Sequence, residues 1–296
     1  MKEMHPNPLL AIIGGSGLYE IPGLTNTEWR EVQSPWGQPS DALLFGRLGD
    51  TQLVFLPRHG RGHSLSPSEI NYRANIDALK RSGVTDILSM SAVGSFRDEL
   101  APGEFVVCDQ FIDRTFAREK TFFGDGVVAH VSMSNPVNAR LGDWCEESCK
   151  ESKIPLHRGG TYLAMEGPQF STLAESNLYR QWGCDVIGMT NMPEAKLARE
   201  AEIPYCTVAM VTDYDCWHPD HDNVTMDAIM ATVQENVGNA RNLIAALAPR
   251  MSKRPAICPS GDDRALEGTI ITAPESRNKK RINMLDAVAG RVLNNQ

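Results

Sequence analysis

Leu9-Leu10-Ala11-Ile12-Ile13-Gly14-Gly15-Ser16-Gly17 sets an unbroken apolar run against a glycine-rich turn. A run this short with no polar alternation fits a strand buried on both faces, as in a sheet sandwiched between helices. The same pattern recurs at Leu53–Leu56, Ile87–Met90, Phe105–Val107, Val186–Met189 and Thr207–Val211. Helical signals lie between these runs. Ser66-Pro67-Ser68-Glu69 reads as an N-cap, a first-turn Pro and a capping-box Glu, opening a helix that stops near Gly83. Leu141, Trp144, Cys145, Ser148 and Cys149 share one helical face; a helix from Thr172 ends at Gly183; another runs from Pro193 to about Ala201. Met226, Ile229, Met230, Val233, Val237, Ala240, Ile244 and Leu247 make a long amphipathic helix that Pro249 ends. The alternation predicts an α/β protein with a central, mixed but largely parallel twisted sheet flanked by helices.

Composition changes after Pro249. Residues 250–280 are rich in Pro, Ser, Gly and charge, and Arg281 to Leu293 reads as one more amphipathic helix. The expectation is a main domain over 1–249, which the family resemblance given below makes the catalytic one, and an extension over 250–296 that packs on it. The chain has 296 residues and a formal net charge of −8, which argues against the basic face that nucleic acid requires. Lys279-Lys280-Arg281 reads as a solvated helix start. No run of about 18 apolar residues suggests a membrane helix, and the first apolar run is about half a secretory core, so no signal peptide is expected. Seven scattered cysteines with no C-x-x-C pair suggest neither a disulfide scaffold nor a zinc site, and so a reduced, cytoplasmic protein.

Several of the buried runs end in small or polar clusters: Gly14–Gly17, Arg58-His59-Gly60, Ser91–Ser95, Met189-Thr190 and Thr212-Asp213-Tyr214-Asp215. Ligands of open α/β sheets bind outside the carboxyl ends of the strands, so these clusters are expected to converge. The glycine turn can present backbone N–H groups and the Ser16 hydroxyl to an anion. Arg58 offers a fork for two oxygens, His59 a further donor, and Ser91 with the next amide would complete a pocket for a small oxyanion. A tight strand-to-helix turn would use the same glycines, and a surface salt bridge and turn the same Arg-His-Gly. No G-x-x-x-x-G-K-[ST] motif is present, and Glu20 breaks the dinucleotide fingerprint at its third glycine. Asp213 and Asp215, two apart on an extended segment, point to one side; a carboxyl raised in pKa by the apolar strand suits a general acid, while a helix cap or a plain turn remains the alternative. No His or carboxylate cluster at ligand spacing adjoins them, so no metal is expected. Met165-Glu166-Gly167-Pro168-Gln169-Phe170-Ser171 would suit a planar ligand, Phe170 stacking and Ser171 and Glu166 at its edge, or else form a loop and N-cap.

Taken together, Ile12–Gly17, Pro57–Lys80, Ser91–Thr115, Met165–Phe170 and Met210–Trp217 resemble the purine nucleoside phosphorylase family, closest to its branch of S-methyl-5'-thioadenosine phosphorylases. The resemblance implies the single-domain nucleoside phosphorylase fold, and phosphorolysis of a thioether nucleoside to adenine and 5-methylthioribose 1-phosphate with inorganic phosphate as co-substrate and no cofactor. It assigns phosphate to Ser16, Arg58, His59, Ser91, Ala92 and Thr190, and the ribose to Met189. The adenine edge falls to Ser171, Asp213 and Asp215, with Phe170 against the ring. The methylthio slot falls to Met226 and Ile229, with His130 reaching in from a neighbouring subunit of a homotrimer. Asp213 would favour a 6-amino over a 6-oxo purine and act as the acid toward N7. Ser16 and Ser91 replace a more common Thr, Met226 a smaller Val, and the resemblance leaves residues 250–296 unassigned. The rival readings are turnover of methylthioinosine or a 5'-hydroxy nucleoside, a hydrolase using water, and a nucleoside-binding protein without turnover.

Overall fold

The computed structural model describes residues 7–15, 17–218 and 226–294, the stretch 226–229 by its backbone alone. In chain order the elements are β1 (Leu9–Gly14), β2 (Leu24–Arg30), β3 (Leu43–Leu48), β4 (Thr51–Pro57), α1 (Tyr72–Arg81), β5 (Asp86–Ser95), β6 (Phe105–Cys108), β7 (Gln110–Asp113) and α2 (Ala139–Ser152). There follow β8 (Leu156–Arg158), β9 (Thr161–Ala164), α3 (Leu173–Gln181), β10 (Val186–Gly188), α4 (Asn191–Glu200), β11 (Tyr205–Asp213), α5 (Met226–Leu247), α6 (Lys279–Met284) and α7 (Asp286–Leu293). The parallel centre is β4-β1-β5-β11; β2 and β3 extend one side antiparallel. At Gly94 and Ser95 the long β5 also pairs antiparallel with β10.

The first apolar run explains the layering. Leu9, Ala11 and Ile13 enter one core with α1, α4 and α7, whereas Leu10 and Ile12 enter a second core with α2 and α5. Successive side chains of a strand point to opposite faces, so a sheet covered on both sides needs apolar residues at every position. Polar-faced β2, exposed along most of its length, lacks that signature and escapes a reading based on apolar runs.

Two helices differ from expectation in their boundaries and a third, α5, in where its packed face begins. Glu69 does reach back to the Ser66 amide, at 2.9 Å, but only closes a turn; α1 begins after Asn71, whose side chain accepts from the Ala74 amide. The packed face of α5 begins at Asn236 and Ala240, while Met230 stands 48% exposed. The tail helix divides into α6 and α7 around Leu285, a fully buried residue whose amide bonds Arg281 and Ile282 carbonyls. Thr172 forms the expected capping box with Glu175, and all seven cysteines are free thiols. No described helix is long and apolar enough to cross a membrane.

Residues 250–294 lie against the main α/β body. Arg254 joins Arg140 on buried Asp86, Asn138 donates to Asp262, and Glu202 holds both Arg291 and the Leu266 amide. Ala129 bridges to Ile270 across this junction, and Glu200 anchors the preceding segment through the Phe122 amide at 2.7 Å and the Thr121 hydroxyl at 2.6 Å. Burial pushes the Glu200 carboxyl up to about 7, against a usual 4.5. The folded state therefore holds a proton there that the unfolded chain has lost, and stability falls as pH rises from about 4.5 to about 7. Denaturant titrations across that window should show this downward slope flattened in Glu200→Gln; an unchanged slope would mean that Glu200 ionises normally in the fold.

Candidate active site

The parallel strands deliver their carboxyl ends to one edge. Arg58 follows β4, its amide donating to the Gly14 carbonyl of β1 at 3.0 Å. Its side chain turns inward, 2% exposed, and Nε and Nη2 meet the two oxygens of Glu194 on α4 at 2.8 and 3.1 Å. Nη1 donates to the Met90 carbonyl at 3.0 Å. The Glu194 carboxylate also accepts from Ser89 and from the Tyr205 hydroxyl. Burial works against the Arg58 charge, but the Glu194 carboxylate outweighs it and keeps the guanidinium cationic. The two-pronged grip expected from Arg58 is thus already closed on Glu194, and the Nη1 edge beside Met90 is what it can still present.

His59 departs from expectation more sharply. Its Nδ1 lies 2.8 Å from the Leu65 carbonyl, an atom that can only accept, so the ring hydrogen sits on Nδ1. Burial pushes the imidazole down to about 4, leaving it neutral at physiological pH. Nε2 then carries a lone pair, and the donor role read from the sequence is not available to the neutral ring.

Ser91 lies on β5 one residue beyond the Met90 carbonyl, with its hydroxyl 3.1 Å from that of Tyr162 on β9. The Thr190 amide bonds the same Tyr162 hydroxyl, which brings Ser91, Ala92 and Thr190 together. Thr190 occupies the N-cap of α4 without using its hydroxyl as a cap. Gly188 is required here, because a Cβ would collide with the Tyr162 hydroxyl. Ser16 lies outside the described residues.

Asp213 ends β11 opposite Gly94 of β5. A Cβ on Gly94 would stand 3.0 Å from Asp213 Oδ1, so the glycine makes room for the carboxylate. Asp213 accepts from the Asp215 amide at 2.8 Å and the Thr212 hydroxyl at 2.7 Å. Burial exceeds the effect of these donors and raises its pKa. Asp215 is raised as well, by burial first and by the neighbouring Asp213 charge; its Oδ2 is buried without a partner among the described residues. The strand acts as a ruler: Arg58 bonds β5 at Met90 and Asp213 pairs it at Gly94. Four residues of strand separate them by roughly 13 Å, a span that a phosphate and a nucleoside can bridge.

Phe170 projects 59% exposed, and the Ser171 carbonyl accepts from Cys216, which joins the 165–171 loop to the Asp213–Trp217 segment. Gly167, at φ +67°, sits over Met189; a Cβ there would reach the Met189 sulfur at 2.5 Å. His130 is exposed, its amide bonded to the Thr269 carbonyl, on a segment apart from the other candidates among the described residues. Met226 and Ile229 lie at the start of α5, their side chains outside the described residues. Among the described residues no cluster of three His, Cys, Asp or Glu side chains is placed to hold a metal ion.

Sequence reading missed Glu194, Tyr162 and Arg118. Arg118, its side chain 1% exposed, donates to the Met192 carbonyl at 2.8 Å and the Glu166 carbonyl at 2.6 Å, and its Nε faces the Glu166 carboxylate at 3.2 Å. Glu166 also accepts from Ser68 and from the Phe116 and Ala117 amides. Burial opposes its charge, yet these donors hold its carboxyl below the ordinary range. No local motif marks any of the three, because each has its partners far away in the chain.

The Arg58, Ser91 and Thr190 group beside the middle of β5 and the raised Asp213 carboxyl opposite Gly94 form the arrangement expected of a nucleoside-cleaving phosphorylase. The family model described as "Phosphorylase superfamily" matches residues 9–249. Two similar proteins are S-methyl-5'-thioadenosine phosphorylases: one from Rhodospirillum rubrum, 62% identical over 99% of this chain and 100% of that protein, and one from Cereibacter sphaeroides, 60% identical over 96% and 98%. The fold matches that of a methylthioadenosine phosphorylase from an antarctic soil metagenomic library with a TM-score of 0.89, at 44% identity over 95% of this chain and 99% of that one. It matches methylthioadenosine phosphorylase from Schistosoma mansoni in complex with adenine with a TM-score of 0.84, at 34% identity over 89% and 99%. The chain belongs to the phosphorylase superfamily.

Replacing Glu194 by Ala leaves the Arg58 cation buried and unpaired, and chemical denaturation should register a loss of about 3–5 kcal/mol. A change under about 1 kcal/mol would show that the pair is dispensable to the fold.

Proposed function

We propose that this chain catalyses phosphorolysis of S-methyl-5'-thioadenosine to adenine and 5-methylthioribose 1-phosphate. The observation that carries the reading is the raised, half-buried Asp213 carboxyl set along β5 from the Arg58, Ser91 and Thr190 group. The phosphorylases of R. rubrum and C. sphaeroides, similar over nearly the whole chain, support the same substrate.

The C1'–N9 bond breaks as the sugar gains oxocarbenium character. A phosphate dianion beside the sugar stabilises that charge and then forms the new C1'–O bond. Electron density leaves with the base, and a proton delivered to N7 by Asp213 neutralises it. Desolvation prepares Asp213 for this task, because a carboxyl removed from water holds its proton to higher pH. When ionised, the same group accepts from the 6-amino group of adenine and repels a 6-oxo purine. Phe170 and Ser171 would contact the base and Met189 the ribose. Met226 and Ile229 would line the 5'-thioether slot, with His130 supplied by a neighbouring subunit. Exposed apolar Val128 and Ile271, bonded to each other near His130, support association there, and a homotrimer is the assembly proposed. The free thiols fit action in the cytoplasm.

Adenine release from methylthioadenosine should depend on phosphate and exceed release of hypoxanthine from methylthioinosine. Release independent of phosphate would mean hydrolysis. Asp213→Asn should lower kcat by ~10²-fold; undiminished turnover in the purified variant would remove Asp213 from the chemistry.

A further inference from the structure

β7, β9 and β10 run parallel and end side by side, Asp113 opposite Ala164 and Ala164 opposite Gly188. The last bonds of this ladder run from the Arg114 amide to the Ala164 carbonyl, at 2.8 Å, and from the Met165 amide to the Gly188 carbonyl, at 2.9 Å. Beyond them the 165–171 loop and the turn into α4 diverge, and carbonyls that the ladder would have served need other donors. Arg118 supplies them. Nη1 donates to the Met189 carbonyl, to that of Met192 at 2.8 Å and to the Tyr72 hydroxyl at 3.2 Å. Nη2 donates to the Glu166 carbonyl at 2.6 Å, while Nε faces the Glu166 carboxylate at 3.2 Å. That carboxylate also holds the Phe116 and Ala117 amides, so the segment bearing Arg118 is fastened at its own root. Gly167 rests on the Met189 side chain with no room for a Cβ.

In the proposed reaction the 165–171 loop carries the base contacts Phe170 and Ser171, and Met189 meets the ribose. Arg118 is bonded to both segments. We propose that Arg118 is the positioning residue that holds the base wall of the site at a set separation from its ribose floor. The inference rests on nucleoside phosphorolysis being the reaction, since it concerns how two parts of one substrate are held. Base and sugar are joined by a bond, so binding one part brings the other to its half-site at high effective concentration, provided that the half-sites keep the matching separation. A planar guanidinium can bond carbonyls of both segments at once. An ammonium in its place keeps a cation beside Glu166 but presents all its donors from one point. Arg118→Lys therefore removes the brace without leaving the Glu166 charge alone.

The test compares the whole substrate with its parts by equilibrium binding to the full-length protein: methylthioadenosine without phosphate, adenine alone, 5-methylthioribose 1-phosphate alone and phosphate alone. Arg118→Lys should weaken methylthioadenosine about tenfold, the cost of re-ordering about one freed backbone residue, and leave each of the other three within about threefold of the unmodified protein. A merely structural role would weaken the parts along with the whole. Equal loss for whole and parts overturns the proposal, as does methylthioadenosine binding within about twofold of the unmodified protein. Should Arg118→Lys fail to fold, Glu166→Gln is measured in the same way, because it withdraws the charge facing Nε and leaves the carbonyls of Met189, Met192 and Glu166 to Arg118. The whole should again weaken more than the parts, by at least about threefold, and equal effects overturn the proposal. Adenine release by the unmodified protein, with and without phosphate, separates the two failures. Without phosphate-dependent release the reading of the reaction fails; with it, and with equal losses for whole and parts, only the role of Arg118 fails.

Discussion

A guanidinium without access to water must find its counter-charge inside the protein, and Arg58 finds it on Glu194, 136 residues later in the chain. This contact fixes the end of β4 against the start of α4, with Ser89 of β5 and Tyr205 of β11 bonded to the same carboxylate. Three strands and a helix are thereby held in one relation at the edge where ligands of such sheets bind. A buried ion pair is a poor source of net stability, since desolvation of both charges offsets most of their attraction. Its value here is geometric: the pair tolerates one arrangement, and the anion pocket inherits it. The guanidinium is accordingly a scaffold first, with one edge turned toward a ligand.

The second organising contact joins the two halves of the site. Arg118 bonds carbonyls at Glu166 and Met192, while Glu166 receives Ser68 and the Phe116 and Ala117 amides. The loop that carries Phe170 and Ser171, the turn that carries Met189 and Thr190, and the turn before α1 therefore move as one body. A planar base and a tetrahedral anion can then be presented to each other at fixed separation, which is what the entropy of a two-substrate reaction demands. The same segment continues through Glu200's bonds to Thr121 and Phe122 into the bridge between Ala129 and Ile270, so the tail after residue 250 braces the wall of the site.

Much of the architecture was legible in the sequence where burial is two-sided or where a cap is chemically explicit. The run Leu9–Ile13 supplies both cores that cover the sheet, and Thr172 with Glu175 opens a helix as its pattern predicts. Edge strand β2 was not legible, because its polar residues face water and carry no periodic demand. Ser66–Glu69 misled in detail: the side-chain bond forms as expected, but one closed turn does not compel the next residues to continue the helix, and Asn71 offers a better cap.

The amino-acid sequence by itself determined which residue types gather at the strand ends: glycines, an Arg-His pair, hydroxyls and two carboxylates, each tied to its strand by chain connectivity. It also determined the layered α/β class, because solvent exclusion from both faces of a sheet dictates local composition. Only the tertiary structure decided what those groups are free to do. Whether Arg58 grips a ligand or a carboxylate depends on Glu194, and whether His59 donates or accepts depends on where the Leu65 carbonyl points. How firmly Asp213 holds its proton depends on how far the packed strands exclude water. Hydrogen-bond direction and desolvation are properties of neighbours, and the neighbours are supplied by folding.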